Sequence, residues 1–173
     1  YYHLPITKYL TEHKIIFGTA NLTHGYKLLS SLFFLNSIFY LPFIEYYSFH
    51  FSLLFFLIFF NYFLIKEIFF KKNDDIIKYI YLLAFAFFNL SFNRLAEYGT
   101  DKVGQLLIVI LLIKVFQLTC FDKDKNSLKN LMPLIPLMAL CITLKTYFLP
   151  YAIIVLTAFV LGEKFFKTIK FIF

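Results

Sequence analysis

The stretch SFHFSLLFFLIFFNYFLIKEIFF, residues 48–70, is apolar along nearly its whole length. As an α-helix rising 1.5 Å per residue it would extend roughly 34 Å, while the hydrocarbon core of a bilayer is about 30 Å thick. A surface helix of a soluble protein would instead carry its apolar residues as a stripe on one face. The stretch therefore predicts a membrane-spanning helix.

The composition of the whole chain supports the same interpretation. Hydrophobic residues make up 61% of its 173 residues, whereas soluble domains contain about 45–50%. The formal net charge of +7 comes from lysines in short gaps between apolar runs, where they serve to orient a membrane protein. We therefore exclude a soluble enzyme and a nucleic-acid binder. We expect an all-α, polytopic transmembrane bundle forming one integral membrane domain, residues 1–173.

Four further apolar runs complete a prediction of about five spans, and they cover residues 77–94, 103–121, 130–146 and 147–163. Three gaps rich in lysine, at 71–78, 122–129 and 163–170, then fall on one side of the membrane. The positive-inside rule makes that side cytoplasmic. We therefore expect an integral membrane protein with residues 95–102 and the turn near Lys145 facing outward.

Residues 28–44 are apolar but short, and several polar residues interrupt them. If they span the membrane, residues 1–27 are cytoplasmic. If they lie in the interface as an amphipathic helix, residues 1–47 share the outer side with the turn at 95–102. Length and polarity favour the interfacial alternative.

The gap FNRLAEYGTDKVGQ, residues 92–105, contains two carboxylates and two cations, namely Arg94, Glu97, Asp101 and Lys102. Polar residues recur every fourth position up to this gap, at Asn89, Asn93, Glu97 and Asp101. Such residues are neighbours on a helix, and polar groups in a membrane usually face the protein interior or water. The pattern predicts a wet cleft that opens outward. The plainer alternative is a solvated turn with an acidic helix cap.

Three short motifs carry a resemblance to a known superfamily. They are the segment with YHL…K…E and GTANLTHG in residues 1–39, EYGTDK around Asp101, and CITLKTYFLP around Lys145. The chain resembles the polytopic GT-C glycosyltransferases, which use polyprenyl-phosphate-linked sugars. More narrowly, it is similar to a group of uncharacterised bacterial membrane proteins of that type. The resemblance implies that residues 28–44 form a juxtamembrane helix in the first outer loop.

The resemblance also implies a transferase site at the outer membrane surface. Asp101 would be the acid–base or metal-binding carboxylate and Glu97 its supporting partner. The lipid phosphate would contact cations, for which the candidates are Lys145 and Arg94, followed by His24 and Lys102. Carboxylates and phosphate suit Mg²⁺ or Mn²⁺, so a divalent metal is a candidate cofactor. The partners are then a polyprenyl-phosphate-linked sugar, membrane lipid and an acceptor that the sequence does not identify.

One departure from the superfamily pattern concerns a second carboxylate, which would lie just before Tyr1. We therefore expect the chain to be a fragment, truncated at both ends and inactive alone. Two other functions remain open. A transporter would also use polar residues in the membrane, and a non-catalytic assembly subunit would tolerate neutral changes at Glu97 and Asp101.

Overall fold

A computed structural model describes residues 3–14, 21, 30–71, 73–91, 101–120 and 131–158. These residues are helical with connecting turns and contain no strand, apart from one isolated bridge between Leu41 and Glu45. The all-α prediction is confirmed. The helices are α1 (His3–Glu12), α2 (Ser31–Ile38), α3 (His50–Ile65), α4 (Asp75–Ser91), α5 (Asp101–Cys120), α6 (Leu134–Leu144) and α7 (Thr146–Ala158).

Two of these helices are long and apolar enough to cross a membrane. A 3₁₀ turn precedes α3 and a π-helical turn follows it, so that one continuous helix of 25 residues covers Tyr46–Phe70. The other is α5, with 20 residues. Both agree with predicted spans, 48–70 and 103–121, to within two residues at each end. Within the described residues α4, α6 and α7 are shorter, so a bundle of five spans remains a proposal.

The core of the molecule is built around α5. Eight of its side chains and Gly104 are buried, and it packs against α3, α4 and α6. At its N-terminal end Gly104 lies against the ring of Phe148 in α7, and a Cβ at position 104 would overlap that ring. Glycine thus allows α5 and α7 to approach closely at this end of the bundle.

The outer faces of α3 and α4 differ sharply from this core. They expose large apolar side chains, among them Phe55, Ile58 and Tyr62 on α3 and Leu83, Phe87 and Leu90 on α4. Contiguous apolar surface of this kind is uncommon on monomeric soluble proteins. It is the surface that a lipid-facing helix presents.

The ambiguous stretch 28–44 contains α2, which has 8 residues. At 1.5 Å per residue α2 is about 12 Å long, well short of a hydrocarbon core of about 30 Å. Its N-terminus is capped by Ser30, whose side chain accepts a hydrogen bond from the N–H of Leu32 at 3.2 Å. Buried Ser52 of α3 donates to the amide oxygen of Asn36. The short α2 packed on α3 agrees with the interfacial alternative rather than a further span.

Candidate functional site

The fold brings together two of the residues predicted from sequence. Asp101 is the first residue of α5, and Lys145 lies between α6 and α7. The Lys145 ammonium donates a hydrogen bond to Asp101 Oδ1 and forms an ion pair with it, although 44 positions separate the two residues in the chain. The Lys145 side chain is 22% exposed and that of Asp101 51%. The pair is therefore accessible to a ligand from outside the bundle.

The backbone holds Lys145 in a defined place. Its φ of −156° and ψ of 129° are extended, which interrupts the helical path between α6 and α7. Its N–H donates to Cys141 O at 3.1 Å, and its carbonyl accepts from the N–H of Phe148 at 3.1 Å. With hydrogen bonds on both sides, the residue projects its side chain from a fixed corner.

Aromatic rings form one wall beside the ion pair. The ring centroid of Tyr147 lies 5.5 Å from the Lys145 ammonium, within the range of a cation–π contact. The ring of the next residue, Phe148, is buried against Gly104 and 4.2 Å from that of Tyr147. The close approach at Gly104 therefore positions Tyr147 as well as the start of α7.

The N-terminal helix lies at the same end of the bundle. Ser31, at the start of α2, donates from its hydroxyl to Thr143 Oγ1 in the last turn of α6 at 3.4 Å. His3 of α1 stacks near Phe33 of α2, with ring centroids 5.3 Å apart. Burial lowers the pKa of His3, the positive charge of Lys145 lowers it further, and Asp101 opposes both effects. His3 is thus within electrostatic range of the ion pair and is favoured in its neutral form.

The other predicted site residues divide into two groups. Lys102 follows Asp101 in the first turn of α5 and is half-buried. Glu97, Arg94 and His24 lie outside the described residues, as do Asn93 and the rest of the gap at 92–100. The described residues contain no group of three or more His, Cys, Asp or Glu side chains arranged to hold a metal ion. A Mg²⁺ or Mn²⁺ site stays a prediction that depends on Glu97.

Sequence reasoning assigned no role to His3 or Tyr147 at this site. Both stand inside the motifs that carried the resemblance, YHL and KTYFLP. The motifs were the available signal, but nothing in their spacing showed that α1 would fold beside the α6–α7 junction.

One α4 position of the predicted polar stripe, Asn89, lies among the described residues, and it joins two helices instead of lining a cleft. Asn89 and Asn61 of α3 exchange two amide hydrogen bonds, at 3.0 and 2.8 Å, and Asn89 also donates to Phe85 O. Asn89 therefore joins α4 to α3 on an exposed edge. Asp101 belongs to α5, so the described members of the stripe do not line one helix face.

A second polar cluster, which we call the Glu67 network, lies at the opposite end of the bundle. Glu67 is 1% exposed. Its Oε1 accepts from the ammonium groups of Lys71 at 2.7 Å and Lys114 at 3.0 Å. The side-chain amide of Asn73 donates to Glu67 O and Oε2 at 2.8 and 3.2 Å. Both carboxylate oxygens are therefore hydrogen-bonded.

The Glu67 network extends to α4 through Gln117 of α5. The Gln117 amide donates to Asn73 Oδ1 at 2.8 Å, and its oxygen accepts from the hydroxyl of buried Tyr81 in α4 at 2.8 Å. The Lys114 ammonium also lies 5.3 Å from the ring centroid of Phe63 and 5.7 Å from that of Tyr81. The network thus joins the end of α3 to α4 and α5.

Comparison with curated proteins and with solved structures found no match. One family model matches the chain, over residues 1–173, and its family is described as a domain of unknown function. The match covers the whole ion-pair site and every helix described above. The chain therefore belongs to the DUF8201 family, a domain of unknown function.

Proposed function

We propose that the protein is a membrane glycosyltransferase-like protein that transfers a sugar from a lipid-phosphate donor to an acceptor on the outer face of a bacterial inner membrane. The observation that carries the proposal is the Asp101–Lys145 ion pair at one end of an apolar helical bundle. Its carboxylate and ammonium are the two groups that such a transfer needs.

The membrane part of the proposal rests on the two long apolar helices and on the exposed apolar faces of α3 and α4. In the proposed arrangement α4, α6 and α7 cross as well, giving about five spans with the lysine-rich gaps in the cytoplasm. Residues 1–47 and 95–102 then face outward. The ion pair then lies at the outer end of α5, at the depth of the lipid phosphates.

The proposed chemistry uses the two charges in turn. The phosphate of the donor draws the Lys145 ammonium away from Asp101, which leaves the carboxylate to accept a proton. The acceptor hydroxyl gives its proton to Asp101 as its oxygen bonds to the anomeric carbon. The bond between that carbon and the phosphate oxygen breaks, and its electron pair stays on the phosphate, where Lys145 stabilises the charge.

Asp101→Asn in the full-length protein tests the proposal. We expect transfer from a lipid-phosphate sugar in membrane vesicles to be lost, because the amide cannot accept the proton, while membrane insertion is retained. Asp75→Asn is a matched control, since Asp75 also begins a helix and pairs with a lysine, Lys78, at 3.7 Å. Wild-type turnover in Asp101→Asn would remove Asp101 from the mechanism.

A transporter is the second candidate, favoured by the Glu67 network. Ionisable groups buried among membrane helices commonly mark a substrate or proton path. One observation argues against such a path, because both carboxylate oxygens of Glu67 are hydrogen-bonded within the network. Solute flux into liposomes without any lipid-linked sugar, reduced by Glu67→Gln but not by Asp101→Asn, would favour the transporter.

A further inference from the structure

The loop between α2 and α3, residues 39–47, closes on itself through hydrogen bonds. Leu41 O accepts from the N–H groups of Ile44 and Glu45 at 3.0 and 2.8 Å. The hydroxyl of Ser48 donates to Glu45 O at 2.6 Å and accepts from the N–H of Leu41 at 3.2 Å. We call this element the Phe43 loop. Its hydrogen bonds define a fixed turn rather than an irregular connection.

The tip of the Phe43 loop is apolar and projects away from the protein. Phe43 is 99% exposed, and Leu41 and Ile44 on either side are also exposed. Glu45 is the one charged residue of the sequence IFYLPFIEYY at 38–47. Its backbone has a φ of 53°. A residue other than glycine in that left-handed region is strained, and such strain persists only where the surroundings impose it. The fold thus maintains a strained turn that presents an apolar tip.

The base of the Phe43 loop is aromatic and firmly packed. Phe49 is buried, and the rings of Tyr40 and Tyr46 lie 5.8 and 6.1 Å from its ring. Tyrosine, apolar in body and polar at its tip, is enriched where membrane meets water. The side chains of the loop therefore change from tyrosine at the base to aliphatic residues and phenylalanine at the tip. An element that enters a bilayer from its surface has the same order.

The location of the loop identifies its surroundings. Its last residues begin the apolar helix Tyr46–Phe70, so it lies where that helix would leave the hydrocarbon. The Lys8 ammonium of α1 is 5.2 Å from the ring centroid of Tyr46. The helix Tyr46–Phe70 and α5 meet near their C-terminal ends through Glu67 and Lys114, so their N-terminal ends lie together. The loop is therefore at the same end of the bundle as the Asp101–Lys145 pair.

We propose that the Phe43 loop inserts its tip into the outer leaflet, at the boundary between lipid headgroups and acyl chains. Its partner is the bilayer surface, and the inserted tip fixes the depth of the Asp101–Lys145 pair near the headgroup phosphates. The internal hydrogen bonds of Leu41, Ile44 and Glu45 suit this environment, because backbone groups entering lipid need partners within the protein. The inference rests on the membrane part of the proposed function and is independent of sugar transfer.

The experiment uses tryptophan fluorescence, because residues 1–173 contain no Trp. The variants Phe43→Trp and Phe59→Trp are made in the full-length protein and reconstituted in phosphatidylcholine vesicles. The lipid carries bromine atoms at either shallow or deep positions of its acyl chains. The emission of the wild-type protein is subtracted from that of each variant. Phe59 lies near the middle of Tyr46–Phe70 and is exposed. We expect blue-shifted emission from both variants. Shallow bromines should quench Phe43→Trp most strongly, and deep bromines should quench Phe59→Trp.

Three results would overturn the inference, and each has its own pattern. In the first, acrylamide in the water quenches Phe43→Trp and no brominated lipid does, while deep bromines still quench Phe59→Trp. The loop would then lie in water, and the membrane spans would remain. Protection of Phe43→Trp from both quenchers places its tip in a protein contact, such as a second copy of the chain. Absence of lipid quenching from both variants removes the membrane assignment itself, together with the inference.

Discussion

At the scale of single residues, a break between two helices decides where Lys145 is placed. Its extended backbone ends α6, and α7 begins at the next residue with a 3₁₀ turn, so the side chain leaves the bundle beside the N-terminus of α5. An aliphatic residue in this corner would keep the turn but lose the ion pair. The charge of Lys145, rather than its packing, is therefore what links it to Asp101.

His3 gives this end of the bundle a dependence on pH. Burial lowers its pKa below the ordinary value of 6.5, so the unfolded chain binds a proton more readily than the folded one. We expect stability that is complete above about pH 6.5 and falls as pH decreases toward the folded-state pKa. Thermal unfolding between about pH 8 and 5 checks this in wild type and in His3→Gln.

The control for this prediction is His13→Gln, because His13 is exposed on the segment that follows α1. Replacing His3 should flatten the dependence of Tm on pH, while replacing His13 should leave it as in wild type. An unchanged slope in His3→Gln would show that other groups cause the acid sensitivity.

At the scale of elements, the contact between α5 and α7 depends on a missing side chain. The ring of Phe148 occupies the space that a Cβ of residue 104 would take. We expect Gly104→Ala to destabilise the protein by about 1–3 kcal/mol, because a closely packed core accommodates extra atoms only by shifting its neighbours. The shift in Tm of the detergent-solubilised protein measures this effect.

Phe148→Leu supplies the matched background for that prediction. With the smaller side chain present, adding the methyl group at position 104 should cost much less, so the two changes should be non-additive. Additive losses would place the cause of the destabilisation elsewhere than in the contact between the ring and the Cβ.

Individual elements were predictable from sequence to different extents. The bounds of Tyr46–Phe70 and Asp101–Cys120 follow from apolar runs, since a predominantly apolar run of about 20 residues is a strong local signal. The helix at His3–Glu12 was not predicted, because HLPITKYLTE mixes polar and apolar residues and includes a proline. Its place beside Lys145 depends on packing against α2, which no local pattern encodes.

At the scale of the whole molecule, polar contacts hold both ends of an otherwise apolar bundle. The Asp101–Lys145 pair joins α5 to the α6–α7 junction, and the Glu67 network joins α3, α4 and α5 at the other end. Sequence placed Asp101 and Lys145 on one side of the membrane by counting spans. It did not predict their direct pairing, because a contact across 44 positions is set by how the helices pack.

Glu67→Gln tests the importance of the Glu67 network. The change leaves Lys71 and Lys114 without their carboxylate, and the side chain of Lys114 is only 17% exposed. Breaking a buried ion pair at one partner typically costs about 3–5 kcal/mol, because an uncompensated charge remains. We expect a loss toward the lower end of that range, since Lys71 is half exposed, and chemical denaturation in detergent micelles measures it.

The double variant Glu67→Gln with Lys114→Met is the companion to this test. It removes the stranded charge while keeping a side chain of similar length, so we expect it to regain part of the lost stability. Glu45→Gln, an exposed glutamate at the other end of the bundle, is the control for a change in overall charge. A double variant no more stable than Glu67→Gln would argue against stranded charge as the cause.

The reciprocal amides of Asn61 and Asn89 constrain how the molecule can move. Sliding α4 by one turn along α3 would separate the two amides, and in lipid no water is present to replace their lost hydrogen bonds. The two helices should therefore travel as one rigid unit. Any opening of the bundle then has to occur along another seam, such as the one between α5 and α7.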